Sequence, residues 1–445
     1  MRKLAFLLLL AGAALRIVFH LLDRAIGWDA SVYIGIAKAI ASFGAQGLWE
    51  PLRPIIWPLL LAPFHMLHIP LIPVAHALQL LIGIGVMLLV WDLARKSFGE
   101  RAGVWALAFV ALSPILMFYE RQLLTEQPAV FFALLAMFLL QRSFFISAGI
   151  AASLSFLSKF PMGILLFALM LTLWSQKKVR ASVFFAAGWA IPVLMFMGLN
   201  WVLYQNPVAA IIAANDVIKT SGLWLYQESF LYYFRELMFE NLFFVFAVPG
   251  MLVAWRKNRY VFSASLFIFL YFLFLPHKEV RFLSLVLPFF CILAGAGWSL
   301  LCSHRWKTAM MLITLLLTAV FGVQMLRAGT YYAVYENQHD TGQDSLYSRV
   351  ADGRNIVTTD PRVTLFTDKR LALLYYPLFP DNLTLGIDVL EKGDTLYFNP
   401  CDVPCAPTAN VCQENLVTFE RLLNTTWRRE ETLYRGACSY SRFTR

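Results

Sequence analysis

Charge is scarce in this chain, and that scarcity excludes an ordinary soluble domain. Only 14% of the 445 residues are Asp, Glu, Lys or Arg, while 59% are hydrophobic. Ordinary soluble domains carry about a quarter charged residues. A chain this apolar reads as a polytopic membrane protein. Acids are the scarcer sign, 27 against 37 bases, for a formal net charge of +10. The basic excess does not point to nucleic acid. The Lys and Arg residues stand in short clusters between apolar runs, where such clusters set membrane orientation. Several catalytic signatures are missing as well. There is no Gly-rich phosphate loop, no Walker sequence, no Gly-x-Ser-x-Gly, and no Asp-x-Asp of the kind that holds a metal for a nucleotide-sugar donor. No metal or other cofactor is expected.

The six cysteines are unevenly placed. Cys291 and Cys302 lie in or beside an apolar run and read as inert. Cys401, Cys405, Cys412 and Cys438 all fall in the polar C-terminal part. An even set confined to one soluble region implies two disulfides in an oxidising compartment, with three pairings open. A structural zinc site is the rival reading. The Cys401-x3-Cys405 spacing permits it, but Cys412 and Cys438 form no second close pair.

What the chain has in abundance is long apolar runs. Arg2 and Lys3 precede the run 4–22, read as an uncleaved first span with its N-terminus in the cytoplasm. Further runs at 71–94, 102–119, 128–140, 144–158, 162–174, 183–204, 241–255, 260–275, 283–301 and 308–326 bring the total to about eleven spans. Lys159-Phe160-Pro161 separates two of them, since proline makes a natural break. With that break, the basic clusters 95–101, 177–180, 256–259 and 304–307 all fall on the cytoplasmic side. Residues 1–326 thus form a membrane module with external loops 23–70, 120–127, 205–240 and 276–282. Loop 23–70 is expected to hold re-entrant or interfacial helices. Loop 205–240 contains an aromatic-rich amphipathic stretch, 223–239, suited to the membrane interface. Residues 327–445 have the composition of a soluble extracytoplasmic domain. Strands are expected at 355–359 and 395–399, a helix within 361–376, and a small α/β fold overall.

The chemistry concentrates in His277-Lys278-Glu279-Val280-Arg281-Phe282, a polar knot between two apolar runs. Four of the six residues can ionise. Charges at the mouth of a membrane helix are costly unless they face a cavity or a ligand. His277, Lys278 and Arg281 suit an anionic group such as a phosphate. Glu279 can pair with Lys278 or Arg281 and hold them in place. The alternative is a solvated loop whose charges pair with each other or with lipid headgroups.

The hexapeptide resembles the signature of the polytopic mannosyltransferases that extend dolichol-linked oligosaccharides and GPI anchors, which belong to the GT-C class of glycosyltransferases. The resemblance implies a polyprenyl-phosphate sugar donor, expected to be mannose, a lipid-linked or glycan acceptor, and inversion at the anomeric carbon. It also implies that His277, Lys278 and Arg281 hold the donor phosphate. Asp29, in Gly27-Trp28-Asp29-Ala30, resembles the catalytic acid of the first external loop. That loop in the family more often reads His-Pro-Asp-Glu, so the second acid is missing here. As a general base, Asp29 would take the proton of the acceptor hydroxyl. Its other reading is an N-cap for a helix over 30–42.

Arg121-Gln122-Leu123-Leu124-Thr125-Glu126 is similar to the second external loop of the class. Glu126 is the second catalytic candidate, orienting the acceptor or Arg121, or it serves only as a first-turn helix acid, and Arg121 is expected to join the residues that bind the donor phosphate. Glu120 has no independent claim. Lys159, at its helix break, and Arg53 either bind donor phosphate or snorkel to headgroups. Two other functions remain open. One is a lipid or lipid-linked-sugar flippase. The other is a GT-C transferase with a different donor or acceptor, such as an aminoarabinose or protein O-mannosyl transferase. The compact loops favour a bacterial inner membrane with a periplasmic site, the endoplasmic reticulum being the alternative. Under either reading the C-terminus is extracytoplasmic.

Overall fold

The computed structural model describes residues 1–21, 26–222, 226–301, 344–347, 355–374, 382–403, 405, 409–435 and 438–445. The expected span 308–326, the basic cluster 304–307, Cys302, the 326/327 boundary and residues 223–225 lie outside the described residues. The chain divides into two compact units. The first comprises Met1–Asp23, Pro54–Ile56 and His76–Gln338, and the second Arg24–Arg53, Trp57–Ala75 and His339–Arg445. Most of loop 23–70 therefore folds with the C-terminal residues.

From the N-terminus the helices are α1 (Arg2–Leu21), α2 (Trp28–Ala41), α3 (Ile56–Met66), α4 (Leu71–Phe98), α5 (Glu100–Ala111), α6 (Pro114–Arg121), α7 (Glu126–Gln141) and α8 (Phe145–Ser158). They continue with α9 (Ile164–Ser175), α10 (Val179–Tyr204), α11 (Ala209–Gly222), α12 (Tyr232–Glu240), α13 (Ala247–Lys257), α14 (Arg259–Phe274) and α15 (Leu283–Leu301). Each expected apolar run as far as 283–301 is largely helical in its described residues, run 102–119 as two helices, α5 and α6. Among the described residues, four helices are long and apolar enough to cross a bilayer, or six if two bent pairs each count as one span. Other apolar helices, such as α7, α8 and α14, are shorter, at 10–17 residues. In the described part of the stretch 223–239, Gln227 bridges antiparallel to His277 and α12 begins at Tyr232.

Breaks in the helices are chemically satisfied. The pair α5–α6 bends by 52°. Pro114 cannot continue a helix, and Ser113 caps the new one by accepting from Leu116 N. The bend frees carbonyls of α5 in an apolar interior, where an unpaired carbonyl is expensive. Arg16 of α1 donates to two of them, Val110 O and Ala111 O, each at 3.0 Å. Helices α8 and α10 approach backbone to backbone. A Cβ on Gly188 would lie 2.1 Å from Ile146 O, and one on Gly149 2.0 Å from Phe185 O. Small residues at a helix–helix contact are the membrane solution to close packing.

In the second unit a five-stranded sheet is built from β1 (Ile356–Thr358), β2 (Leu371–Leu373), β3 (Thr395–Phe398), β4 (Arg428–Arg435) and β5 (Cys438–Thr444), in the order β2-β1-β3-β5-β4. Strands β2, β1 and β3 are parallel, and β5 runs antiparallel to β3 and β4. Alternation along the strands gives two buried faces. Val357, Leu396, Phe398 and Phe443 pack with Phe419, Leu423 and Trp427 of the C-terminal helix Asn410–Thr426 and its end. Ile356, Leu371 and Tyr397 pack with Tyr347, Val363 and, from α2, Val32 and Ile36. The expected strands are present. The helix expected within 361–376 is a short one among the described residues. Asp360 does cap a helical start at Pro361, but only a 3-10 turn over Pro361–Leu365 forms before β2. Cys401 pairs with Cys438, and Cys405 with Cys412. These are disulfides, so the zinc reading falls. Cys291 is buried and free.

Candidate active site

In the first unit, chain-distant residues meet on one carboxylate. Glu126 opens α7, with Thr125 before it, and its side chain is 2% exposed. The backbone break after α8 turns Lys159 extended, at φ −153°. Its ammonium donates to Glu126 Oε1 at 2.6 Å. Lys159 therefore points into the protein and does not snorkel to headgroups. Arg281 Nε lies 4.0 Å from the same oxygen. Glu126 is thus the acid that brings the end of α8 and the 276–282 knot together.

Within the knot, Glu279 is the hub. Its Oε1 accepts from Arg281 at 2.6 Å and also pairs with His277 Nε2. The other ring nitrogen of His277 bonds Ser221 Oγ of α11 at 2.8 Å. Tyr226 stacks on the imidazole at 4.2 Å between ring centroids. Lys278 N donates to Tyr226 O, and Glu279 N to the Tyr233 hydroxyl. Lys278 Nζ donates to Leu275 O. Both ring nitrogens of His277 are engaged in the fold, so His277 serves as a brace for Glu279. Of the knot's cations, Arg281 is the one tied to carboxylates on two elements, with a side chain 20% exposed.

Glu120 and Arg121, at the end of α6, are both buried. Glu120 accepts from Arg16 Nε at 3.0 Å and Gln127 Nε2 at 3.1 Å, and meets His20 Nε2 at 3.3 Å. Its carboxylate sits against the backbone of Gly83 in α4, where a Cβ would lie 2.3 Å away. This network was not legible in the sequence. The one signal was Arg16 and His20, two cationic side chains inside an otherwise apolar run.

In the second unit, Asp29 lies in the first turn of α2. The helix begins at Trp28 with Gly27 at its N-cap, so Asp29 is not the cap that its spacing suggested. A first-turn acid is still favoured by the helix dipole. Arg53 fixes its carboxylate, with Nη2 at 2.9 Å from Asp29 Oδ1 and Nε at 2.7 Å from Glu50 Oε2. The guanidinium also lies over the ring of Tyr33, 5.7 Å from its centroid. Arg53 is thus an orienting partner of Asp29. Glu50, buried and three residues before Arg53, was missed, although its i,i+3 spacing to Arg53 was there to read. No group of three or more His, Cys, Asp or Glu side chains with metal-binding geometry occurs among the described residues.

This helical membrane fold, with a small C-terminal sheet and charged residues gathered at helix ends, is that of the GT-C membrane glycosyltransferases. The chain is similar in structure to ArnT from Cupriavidus metallidurans, solved bound to undecaprenyl phosphate, at a TM-score of 0.65 and 13% identity over 97% of both chains. It is similar to the oligosaccharyltransferase AglB from Archaeoglobus fulgidus, solved with an inhibitory peptide and a dolichol-phosphate, at a TM-score of 0.55 and 13% identity over 98% of this chain and 74% of that one. No curated protein sequence matches the chain. Residues 49–352 match the model of the Alg9-like mannosyltransferase family, and the protein belongs to that family. It is a multi-pass integral membrane protein and a glycosyltransferase.

Proposed function

We propose that the protein transfers mannose from a polyprenyl-phosphate donor to a lipid-linked or glycan acceptor on the extracytoplasmic face of the membrane, with inversion and without a metal ion. The observation that carries this reading is the meeting of Arg281 and Lys159 on the buried carboxylate of Glu126. Cations held in place by buried acids are preorganised, and cost no reorganisation when charge develops near them. In transfer, the acceptor oxygen bonds to the anomeric carbon as the carbon–oxygen bond to phosphate breaks. The phosphate leaves with more negative charge than it had in the donor. Fixed cations at that oxygen stabilise the transition state more than the ground state. Asp29, oriented by Arg53, takes the acceptor's proton. His277 and Lys278 act through the shape of the knot, and Arg281 makes the phosphate contact.

The test is transfer from radiolabelled polyprenyl-phosphate mannose to lipid-linked acceptors in membranes containing EDTA. Wild type is compared with Asp29→Asn and Arg281→Ala at matched expression. Transfer by wild type and loss in both variants is the expected result. Transfer that survives Asp29→Asn moves the base elsewhere, to Glu126 first. No transfer by folded wild type overturns the mannose donor, and then aminoarabinose donors and a lipid-flipping assay discriminate the remaining readings.

A further inference from the structure

Helix α2 carries Asp29 and is buried along most of its length, from Ala30 through Ala39. A short helix in an external loop does not bury itself. Its cover comes from residues more than three hundred positions later. Val32 and Ile36 pack in one cluster with Tyr347, Ile356, Val363, Leu371 and Tyr397. The loop after α2 pairs with the same sheet. Gly47 N donates to Lys369 O at 3.0 Å and Leu371 N to Gly47 O at 2.7 Å, a parallel bridge beside β2. So α2 forms one face layer of the sheet, and strands buried on both faces require such a layer.

One charged side chain locks this packing. Lys38, on α2, is a residue only 7% exposed. Its ammonium donates to Thr364 O at 2.7 Å and Thr367 O at 2.9 Å, and pairs with Asp368 at 2.7 Å. Thr364 lies in the 3-10 turn Pro361–Leu365 and Thr367 just beyond it, and a helix end leaves carbonyls unpaired. The turn is itself held from its start. Asp360 accepts from Arg362 N, from the Arg362 guanidinium and from the Tyr347 hydroxyl. Lys38 stands nine residues after Asp29 on the same rigid helix, so the point where it is pinned fixes the axial position and rotation of Asp29.

We propose that Lys38 is a positioning residue for sugar transfer. By pinning α2 to the 361–368 turn, it makes the C-terminal domain the scaffold that presents Asp29 to the acceptor. The proposal rests on the transferase reading above.

The test uses the full-length protein in membranes with Lys38→Met, Lys38→Arg and Asp368→Asn beside wild type and Asp29→Asn. The measured quantities are kcat, the KM for the donor, and hydrogen exchange of the α2 amides against those of β1 and β3. Lys38→Met is expected to lower kcat about tenfold or more with donor KM within twofold, and to speed exchange in α2 while β1 and β3 keep their protection. Lys38→Arg restores part of kcat, because a guanidinium can reach the same carbonyls. Asp368→Asn has a smaller effect, because the Asp368 side chain is 62% exposed and the carbonyl bonds carry the position. Wild-type kcat in Lys38→Met overturns the proposal. So does a loss of kcat that comes with exchange throughout the sheet, which would make Lys38 merely structural. Activity that survives Asp29→Asn but not Lys38→Met overturns the link to Asp29. Absence of transfer by wild type is a different failure, that of the transferase reading itself.

Discussion

Glu126 is nearly sealed from solvent, and its closest cation is Lys159 at 2.6 Å. Removing one partner of a buried ion pair leaves an uncompensated charge, at a cost of about 3–5 kcal/mol. Lys159→Met should therefore lower the unfolding temperature in detergent sharply. Glu126→Gln should lower it less, since the amide can still accept a hydrogen bond. The double variant should recover most of the loss. An additive double variant would show that the pair is not coupled. Glu279 has a different part, because its carboxylate joins His277 to Arg281. Glu279→Gln is expected to raise the donor KM and lower kcat by about tenfold or more, the size of one strong charge-assisted bond. Unchanged kinetics in membranes would take Glu279 out of the site. The acids and bases at helix ends were legible residue by residue, because charge beside an apolar run is costly and stands out. Their partners were not. Nothing local says that Lys159 turns inward, that His277 spends both ring nitrogens on the fold, or that Glu120 meets Arg16 across 104 positions.

Helices were the easiest elements to read, because an apolar run flanked by charge leaves the backbone few alternatives. What the runs concealed is how closely two helices approach. Gly188 and Gly149 face neighbouring backbone carbonyls at distances no Cβ tolerates. Gly188→Ala should destabilise by about 1–3 kcal/mol, the cost of overpacking a filled contact. Thermal unfolding in detergent checks this, and an unchanged midpoint would mean α8 and α10 can separate freely. The shortness of the helix within 361–376 has a clear cause. Asp360 and Pro361 give a true start signal, but Leu371–Leu373 pairs with β1, and a strand so close ends the helix after one 3-10 turn. The same corner gives the second unit a pH dependence. Burial, and then the charge of Asp360, raise the Asp402 carboxyl to about 8, with Arg362 opposing. An unfolded Asp releases its proton near pH 4. Between those values the folded state holds a proton that the unfolded state has lost. Stability from this group is full below about pH 4 and falls as pH rises towards about 8, by at most about 1.4 kcal/mol per pH unit. Thermal unfolding at pH 6 and pH 8 should show the fall, and Asp402→Asn should flatten it.

At the scale of the whole chain, the surprise is that the first loop and the C-terminal residues form one unit. A polar composition after residue 327 suggested a domain complete in itself. Composition reports who avoids the membrane and does not report who covers a sheet face, which here depends on Val32 and Ile36. Orientation across the membrane is a separate question, and two independent features bear on it. The basic clusters at 95–101, 177–180 and 256–259 stand at alternate helix junctions, where they would be retained in the cytoplasm. Cys401–Cys438 and Cys405–Cys412 need an oxidising compartment, and they lie at the other end of the chain. An odd number of spans between a cytoplasmic N-terminus and the disulfides satisfies both conditions, and an even number violates one. Fusions of alkaline phosphatase and of green fluorescent protein test this directly in bacterial cells. The expected outcome is an active phosphatase and a dark fluorescent protein after Arg445, with the reverse after Lys178 and after Lys257. Fluorescence after Arg445 would place the disulfides in a reducing compartment and the sugar-transfer site on the wrong face for the proposed reaction. Both readings would then fall together, since the same topology carries them.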